Sequence, residues 1–333
     1  MPRIAVFDAK PYDRHYLDKA NQEYGFDITY LEGKLNAESA VITQGFDGVC
    51  IFVNDVVDAA TAEQLKANGV ALLALRCSGY NNVDLTATGS ELPVVRVPAY
   101  SPFAVAEHTV GLMLSLNRKI HRAYYRTRDN NFSLTGLIGF DMHDKTAGII
   151  GTGKIGRLVA QILRGFGMHV LAYDIMPQED WAREQGVDYV PLTELYQRSD
   201  IISLHCPLTP ENLYMINKGS IARMKDSAMI VNTGRGKLIN TPDLLEALKN
   251  GQLGSAALDV YEEETRYFFE DYSSQLVMDD VLARLLTFPN VLVTSHQAFF
   301  TEEALTNIAA TTLENIRLYF EETRTPNLVE EAR

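Results

Sequence analysis

Positive charge is scarce in this chain. Its 30 lysines and arginines face 43 aspartates and glutamates, for a formal net charge of −13. A field of that sign repels phosphate backbones and anionic bilayers, so a nucleic-acid or membrane-surface partner is not expected. Cysteine is scarcer still. The three present, Cys50, Cys77 and Cys206, are widely spaced and set in apolar or strand-like surroundings. They fit thiols in a reducing compartment and offer no metal-ligand spacing. No apolar run reaches the roughly 20 residues needed to cross a bilayer. Arg3-Ile-Ala-Val-Phe7 has a strand's length and lacks the extended apolar core of a secretory signal. Repeats and low-complexity tracts are also missing. What is left is the expectation of a cytoplasmic enzyme with no metal site.

The 333 residues are enough for two domains. An apolar fraction of 46% and a charged fraction of 22% are those of an ordinary globular chain. Short apolar runs alternate with amphipathic stretches from end to end, as in α/β domains with parallel sheets. The spacing predicts strands near 3–7, 27–31, 48–53, 71–75 and 93–96, with helical patterns at about 11–24, 37–43 and 59–68. A second strand series follows near 146–150, 168–173, 188–190, 200–204, 228–232, 255–258 and 291–294. Between the two, Ser101-Pro102 reads as an N-cap with proline at the first helical position. From Phe103 to Leu116 the chain is almost continuously apolar, the mark of a helix buried on most sides. A last helical pattern, about 302–321, can carry the chain back to the first unit. The expected architecture is therefore two doubly wound parallel-sheet domains. Residues 101–298 form one, inserted into a discontinuous domain made of 1–100 and 299–333. Segment 262–280 has no clean period and reads as a loop with aromatic anchors.

One motif assigns the second unit a ligand. Lys145-Thr-Ala-Gly-Ile-Ile-Gly151-Thr-Gly153-Lys154-Ile155-Gly156 reads as strand, glycine turn and helix, and Asp174 ends the next strand. Gly151 permits the tight turn, Gly153 lets a pyrophosphate approach the backbone, and Gly156 lets the helix pack on its strand. The helix N-terminus adds free N–H groups and a positive dipole end. A carboxylate at Asp174 can accept ribose hydroxyls and repels a 2′-phosphate, which selects NAD over NADP. The alternative is a tight turn with no ligand, a less economical account of strands, glycines and acid together.

Reducing a 2-keto acid asks for a fixed cation, a proton donor and a group that keeps the donor charged. Arg235, Glu264 and His296 each stand at or just beyond a strand end of the second series, so they can converge on one cleft. Guanidinium suits a planar carboxylate because it binds in a bidentate fork. Each residue alone also has a plain reading: a solvated loop arginine, a charged turn over Glu262–Glu264, a structural histidine.

The sequence closely resembles the D-isomer-specific 2-hydroxyacid dehydrogenases, and the resemblance covers nearly the whole chain. It is carried by Val97-Pro-Ala-Tyr100-Ser-Pro, Ala106-Glu-His108, Gly148–Gly156, His205-Cys-Pro-Leu-Thr-Pro210, Val231-Asn-Thr-Gly-Arg235-Gly, Ala257-Leu-Asp259-Val-Tyr-Glu and Ser295-His296-Gln-Ala-Phe299. The resemblance implies a Rossmann NAD-binding domain inserted into a flavodoxin-like catalytic domain, in a homodimer or homotetramer. It lies nearest the members that interconvert pyruvate and D-lactate. It implies Arg235 as the substrate clamp, His296 as general acid/base and Glu264 as its supporting carboxylate. Glu264 is chosen among three adjacent glutamates by the family spacing of five residues from Asp259. The resemblance further implies cofactor contacts from Gly151, Gly153, Lys154, Ile155, Gly156, Asp174, Cys206, Pro207, Asn212, Thr233, Gly234, Arg235 and Asp259, the last beside the nicotinamide. Ser78 and Gly79 match a carboxylate-binding loop, and Tyr100 matches a substrate-facing tyrosine. Phe52 matches a position facing the substrate side chain, where with Phe299 it leaves room for little more than a methyl group; otherwise it is a core aromatic. Broader 2-keto acid specificity (2-ketobutyrate, 2-ketoisocaproate, glyoxylate) is the neighbouring reading. A 3-phosphoglycerate dehydrogenase is disfavoured because no regulatory domain follows and no basic cluster awaits a phosphate. An NAD-sensing binding module is disfavoured by the intact Arg235, Glu264 and His296.

Asp174→Ala should narrow the gap between NADH and NADPH by weakening the first and relieving repulsion of the second. Steady-state efficiencies with the two coenzymes check this, and equal efficiencies in the unsubstituted protein would refute the role of Asp174.

Overall fold

The computed structural model describes residues 1–329, and the chain divides into two compact units. One runs from Met1 to Ser101 and resumes at Phe300; the other is Pro102–Phe299. Among the described residues no helix is long and apolar enough to cross a membrane.

The first unit holds a sheet of five parallel strands: β1 (Arg3–Val6), β2 (Asp27–Tyr30), β3 (Gly48–Ile51), β4 (Leu72–Leu75) and β5 (Val94–Val95). Their order is β2-β1-β3-β4-β5, that of a flavodoxin-like doubly wound sheet. Every residue of β3 and β4 is buried, because helices cover both faces of a parallel sheet and leave no polar side to alternate with. The long helix Glu302–Glu322 belongs to this unit. Its Ala309, Leu313 and Ile316 share a core with Ile4, Val6, Leu17 and Leu72. Two expectations need correction. The pattern at 37–43 closes as a 3-10 turn, Ser39–Thr43, stopped by Gly45 at φ 84°. The strand near 93–96 pairs over two residues only, since Pro93 has no N–H and the Arg96 N–H turns to the Asn327 carbonyl at 3.1 Å.

The second unit is built on seven parallel strands. They are β6 (Thr146–Ile150), β7 (His169–Tyr173), β8 (Val187–Tyr189), β9 (Ile201–Leu204), β10 (Met229–Asn232), β11 (Ser255–Leu258) and β12 (Val291–Val293). They lie in the order β12-β11-β10-β9-β6-β7-β8. Chain order reverses between β6 and β9, and in such sheets the crevice for a ligand opens at that reversal, outside the carboxyl ends of the strands. The helix Pro102–Asn117 packs Val110, Met113 and Leu116 into a core with Ile149, Val159, Val231 and Ala257. Its exposed residues Phe103, Glu107 and Gly111 are four apart and make a single narrow row. Helix Ile120–Arg128 was not foreseen: its apolar row, Ile120, Ala123 and Tyr124, is only about one turn long, and none of it is buried. Segment 262–280 is anchored by Tyr267 and Phe268, both in the core, around a 3-10 turn at Glu264–Arg266.

The contact of helix Lys154–Gly165 with β6 depends on one missing carbon. A Cβ on Gly156 would lie 1.9 Å from the Gly151 carbonyl oxygen, a backbone atom that cannot swing aside. Gly165, in the same helix, has nothing within 4 Å of its would-be Cβ. Gly156→Ala should therefore cost about 3 kcal/mol, at the top of the usual overpacking range. Gly165→Ala should instead be neutral or stabilise by up to about 1 kcal/mol through helix propensity. Urea denaturation of the two variants checks the contrast; equal effects would mean the turn can relax.

Candidate active site

The glycine turn closes at the sheet's reversal point. Gly151 leaves β6 with φ 93°, and a Cβ there would sit 2.5 Å from the Cys206 backbone nitrogen beyond β9. Gly153 differs. Its φ is −65° and nothing lies within 4 Å of its would-be Cβ, so nothing inside the protein demands glycine there. The space beside it is open, and no side chain caps the helix that starts at Lys154. Its first N–H groups are left for an outside acceptor, the arrangement that suits a pyrophosphate. Lys154 is exposed and Ile155 half-buried on this first turn.

Asp174 follows β7 directly. Its Oδ2 accepts the Thr152 N–H at 2.6 Å and the Thr152 hydroxyl at 2.9 Å, and its Oδ1 accepts the Met176 N–H at 2.9 Å. Partial burial pushes its pKa up, but these donors outweigh it and the carboxyl stays below its ordinary value. Beyond β9, the Asn212 amide donates to the Pro207 carbonyl at 2.7 Å and its oxygen accepts the Thr209 N–H at 2.8 Å. Asn212 thus braces the loop that carries Cys206 and Pro207. Burial lifts the Cys206 thiol to about 11 and keeps it neutral. Thr233 is bonded to Thr109 at 2.9 Å, and the Gly234 N–H donates to Asn232 Oδ1 at 3.0 Å.

A second cluster forms around Asp259, just beyond β11 and fully buried. Its Oδ1 accepts the Thr294 hydroxyl at 2.5 Å and the Gln297 N–H at 2.9 Å; its Oδ2 accepts the Ala298 N–H at 2.9 Å. His108 Nε2 lies 3.3 Å from Oδ1. The Asp259 carbonyl accepts the His296 N–H at 2.7 Å. Expected beside the nicotinamide, Asp259 commits its carboxylate to this turn. The bonds hold His296 in the left-handed region, φ 54°, which costs a side-chain-bearing residue of order 1–3 kcal/mol.

The His296 ring is thereby aimed at Glu264. Nδ1 lies 2.9 Å from Glu264 Oε1, and Glu264 Oε2 accepts the Tyr261 N–H at 2.9 Å. Of the neighbouring glutamates, Glu263 is exposed and Glu262 is held by the Tyr214 hydroxyl and the Thr241 N–H. Burial disfavours the imidazolium and so does the charge of Arg235. Glu264, by charge and hydrogen bond, and Asp259, by charge, overcome both, so the His296 pKa is raised. Arg235 follows β10 and donates from Nη1 to the Gly234 carbonyl at 2.8 Å. Phe269 places its ring 5.9 Å from the imidazole. The second unit therefore brings Arg235, Glu264 and His296 together.

The first unit carries the other expected residues. Phe52, 7% exposed, directly follows β3, and the Arg76 guanidinium lies 4.9 Å from its ring centroid. Arg76 is itself buried and paired with Asp13 at 3.2 Å. Asp55 fixes the Phe52 backbone by accepting its N–H at 2.6 Å. The N–H groups of Ser78 and Gly79 donate to no partner among the described residues, although the Ser78 carbonyl accepts from Arg96 at 2.9 Å. Two adjacent unspent donors suit an anion. Tyr100 is half-buried, its carbonyl accepting from Asn307 at 2.7 Å. Phe299, in the second unit, is buried.

Comparison with known proteins decides the family. The model of the D-isomer specific 2-hydroxyacid dehydrogenase NAD binding domain matches residues 110–298. D-lactate dehydrogenase of Escherichia coli K12 is 53% identical over 315 residues, 94% of this chain and 95% of that one. The chain belongs to the D-isomer-specific 2-hydroxyacid dehydrogenases. Its cofactor is NAD. Among solved structures, this dehydrogenase is similar to the apo-structure of D-lactate dehydrogenase from Escherichia coli, with TM-score 0.90 and 50% identity over 98% of this chain and 100% of that one. It is likewise similar to the pyruvate reductase of Chlamydomonas reinhardtii, with TM-score 0.93 and 43% identity over 98% of each chain.

Removing the charge of Glu264 while keeping its shape should lower the His296 pKa. An NMR titration of the imidazole in Glu264→Gln checks this, and an unchanged midpoint would mean that burial and Asp259 alone set it.

Proposed function

We propose that this dehydrogenase catalyses the reversible reduction of pyruvate to D-lactate with NADH. The observation that carries the reading is the 2.9 Å bond between His296 Nδ1 and Glu264, beside Arg235. Bound NADH supplies the hydride. Arg235 holds the substrate carboxylate and draws charge from the keto oxygen, which is what a planar fork does and a lysine does less well. With Nδ1 committed to Glu264, His296 gives the Nε2 proton to that oxygen, and takes it back when lactate is oxidised. The raised pKa favours the protonated imidazole to higher pH than an ordinary histidine would allow. Reduction is thus favoured below that pKa and fades as pH climbs through it. On the first unit, the Ser78 and Gly79 N–H groups serve the carboxylate, while Phe52 and Tyr100 face the substrate. Asp174 and the Gly151–Gly156 turn bind the dinucleotide, joined by the 206–212 loop and by Thr233, Gly234 and Asp259. The unit Pro102–Phe299 is then the NAD-binding domain, and the unit that runs from Met1 to Ser101 and resumes at Phe300 the substrate domain.

The proposal extends to assembly and compartment. Ile120, Tyr124, Tyr125, Phe132, Leu134 and Ile138 are exposed within one short segment, an apolar surface that a second copy of the chain would cover in a homodimer or homotetramer. The absence of disulfides among the cysteines supports a cytoplasmic site of action.

A panel of pyruvate, 2-ketobutyrate, 2-ketoisocaproate and glyoxylate with NADH, followed by chiral analysis of the product, tests the reading. Pyruvate should give the highest kcat/KM and D-lactate the sole enantiomer; L-lactate, or a preference for a branched acid, would overturn it. In the same assay His296→Ala should lower turnover by about 10²–10⁴-fold. Phe52→Leu should move the preference about tenfold toward the larger acids.

A further inference from the structure

We propose that Thr152 and Tyr189 are positioning residues that lock Asp174 in the orientation selecting NADH, so that coenzyme choice depends on a hydroxyl of the edge strand β8. The proposal rests on the reading of Asp174 as the ribose-binding carboxylate. Its basis is a chain of hydrogen bonds whose protons can all be assigned. An ionised carboxylate only accepts, so the Thr152 hydroxyl spends its one proton on Asp174 Oδ2 at 2.9 Å. The 2.7 Å contact between Thr152 Oγ and the Tyr189 hydroxyl must then use the proton of Tyr189. The Tyr189 oxygen in turn accepts the Gln178 N–H at 3.1 Å. Gln178 thus donates to Tyr189, Tyr189 to Thr152 and Thr152 to Asp174. Such a chain polarises each donor in the same sense.

The consequence is rigidity at the charge. The two lone pairs of Oδ2 are taken by the Thr152 N–H and hydroxyl, and Oδ1 receives the Met176 N–H, which leaves Oδ1 one further acceptor position. The carboxylate cannot turn about its Cβ–Cγ bond without breaking these bonds. A ribose hydroxyl meets an acceptor that is already in place, and a 2′-phosphate meets a negative charge that cannot move away. Without the Thr152 hydroxyl, only the Thr152 and Met176 N–H groups hold Asp174, and the carboxylate turns more easily. NADH then loses a preorganised partner and NADPH escapes part of the repulsion. Thr152 is buried, and the Tyr189 ring packs on the core of its unit, so both hydroxyls are held in fixed positions.

The test is the ratio of NADPH to NADH dissociation constants, measured by titration calorimetry on the purified protein without substrate. Variants are Thr152→Val, which keeps the shape and removes the hydroxyl, Thr152→Ser, which restores it, Tyr189→Phe, and Asp174→Ala as reference. The ratio should fall about tenfold in Thr152→Val, the usual worth of one hydrogen bond to a charged group. It should fall about threefold in Tyr189→Phe, where the chain loses only its outer link. Thr152→Ser should keep it. If Asp174→Ala collapses the ratio while Thr152→Val and Tyr189→Phe leave it intact, the positioning role is overturned and the ribose reading stands. If Asp174→Ala itself leaves the ratio intact, the ribose reading fails and takes the proposal with it. Should Thr152→Val not fold, Tyr189→Phe decides alone, and an unchanged ratio overturns the proposal.

Discussion

The buried charge of Asp259 organises the candidate site. A fully buried carboxylate is tolerable only when its lone pairs are filled, and here the donors are the Thr294 hydroxyl and the backbone N–H groups on the far side of His296. Satisfying Asp259 therefore bends the chain, and the bend puts His296 at φ 54° with its ring toward Glu264. Burial lifts the Asp259 pKa, but His108 and Thr294 together with the other donors carry it below its ordinary value, so the charge persists near neutrality. The raised affinity of His296 for a proton and its aim both trace to this arrangement, with Glu264 supplying the direct contact.

Three carboxylates in the second unit thus do different work because their surroundings differ. Asp174 is partly exposed and keeps an acceptor position for a ligand. Asp259 has both oxygens engaged in shaping a turn. Glu264 divides its oxygens between the Tyr261 N–H and the imidazole. The same functional group serves recognition, architecture and proton affinity, and neighbouring donors decide which.

Much of this was legible in the sequence. The strands could be read because buried parallel strands are short continuous apolar runs with turn residues at both ends, as β3 and β4 show. Gly151 and Asp174 could be read because a dinucleotide turn needs a positive φ and an acid at a fixed distance. Other features depend on where distant segments meet. Tyr189 is 37 positions beyond Thr152, so no local pattern could pair them. Glu264 could be chosen over Glu262 and Glu263 only by family spacing; in the fold, Tyr214 draws Glu262 away and the 3-10 turn leaves Glu263 in solvent. Asp259 was placed beside the nicotinamide only by family resemblance, and its hydrogen bonds to the His296 turn appear only in the fold. Helix Ile120–Arg128 escaped because its apolar row, Ile120, Ala123 and Tyr124, spans only about one turn.

The central claim is that His296, its pKa raised above that of an ordinary histidine, holds the proton that goes to the substrate oxygen. Oxamate, which matches pyruvate in shape and cannot be reduced, reports that proton directly in the NADH complex. Its dissociation constant should be flat below the His296 pKa and rise about tenfold per pH unit above it, since only the imidazolium can donate to the bound oxygen. An affinity that stays constant through that range would contradict the account.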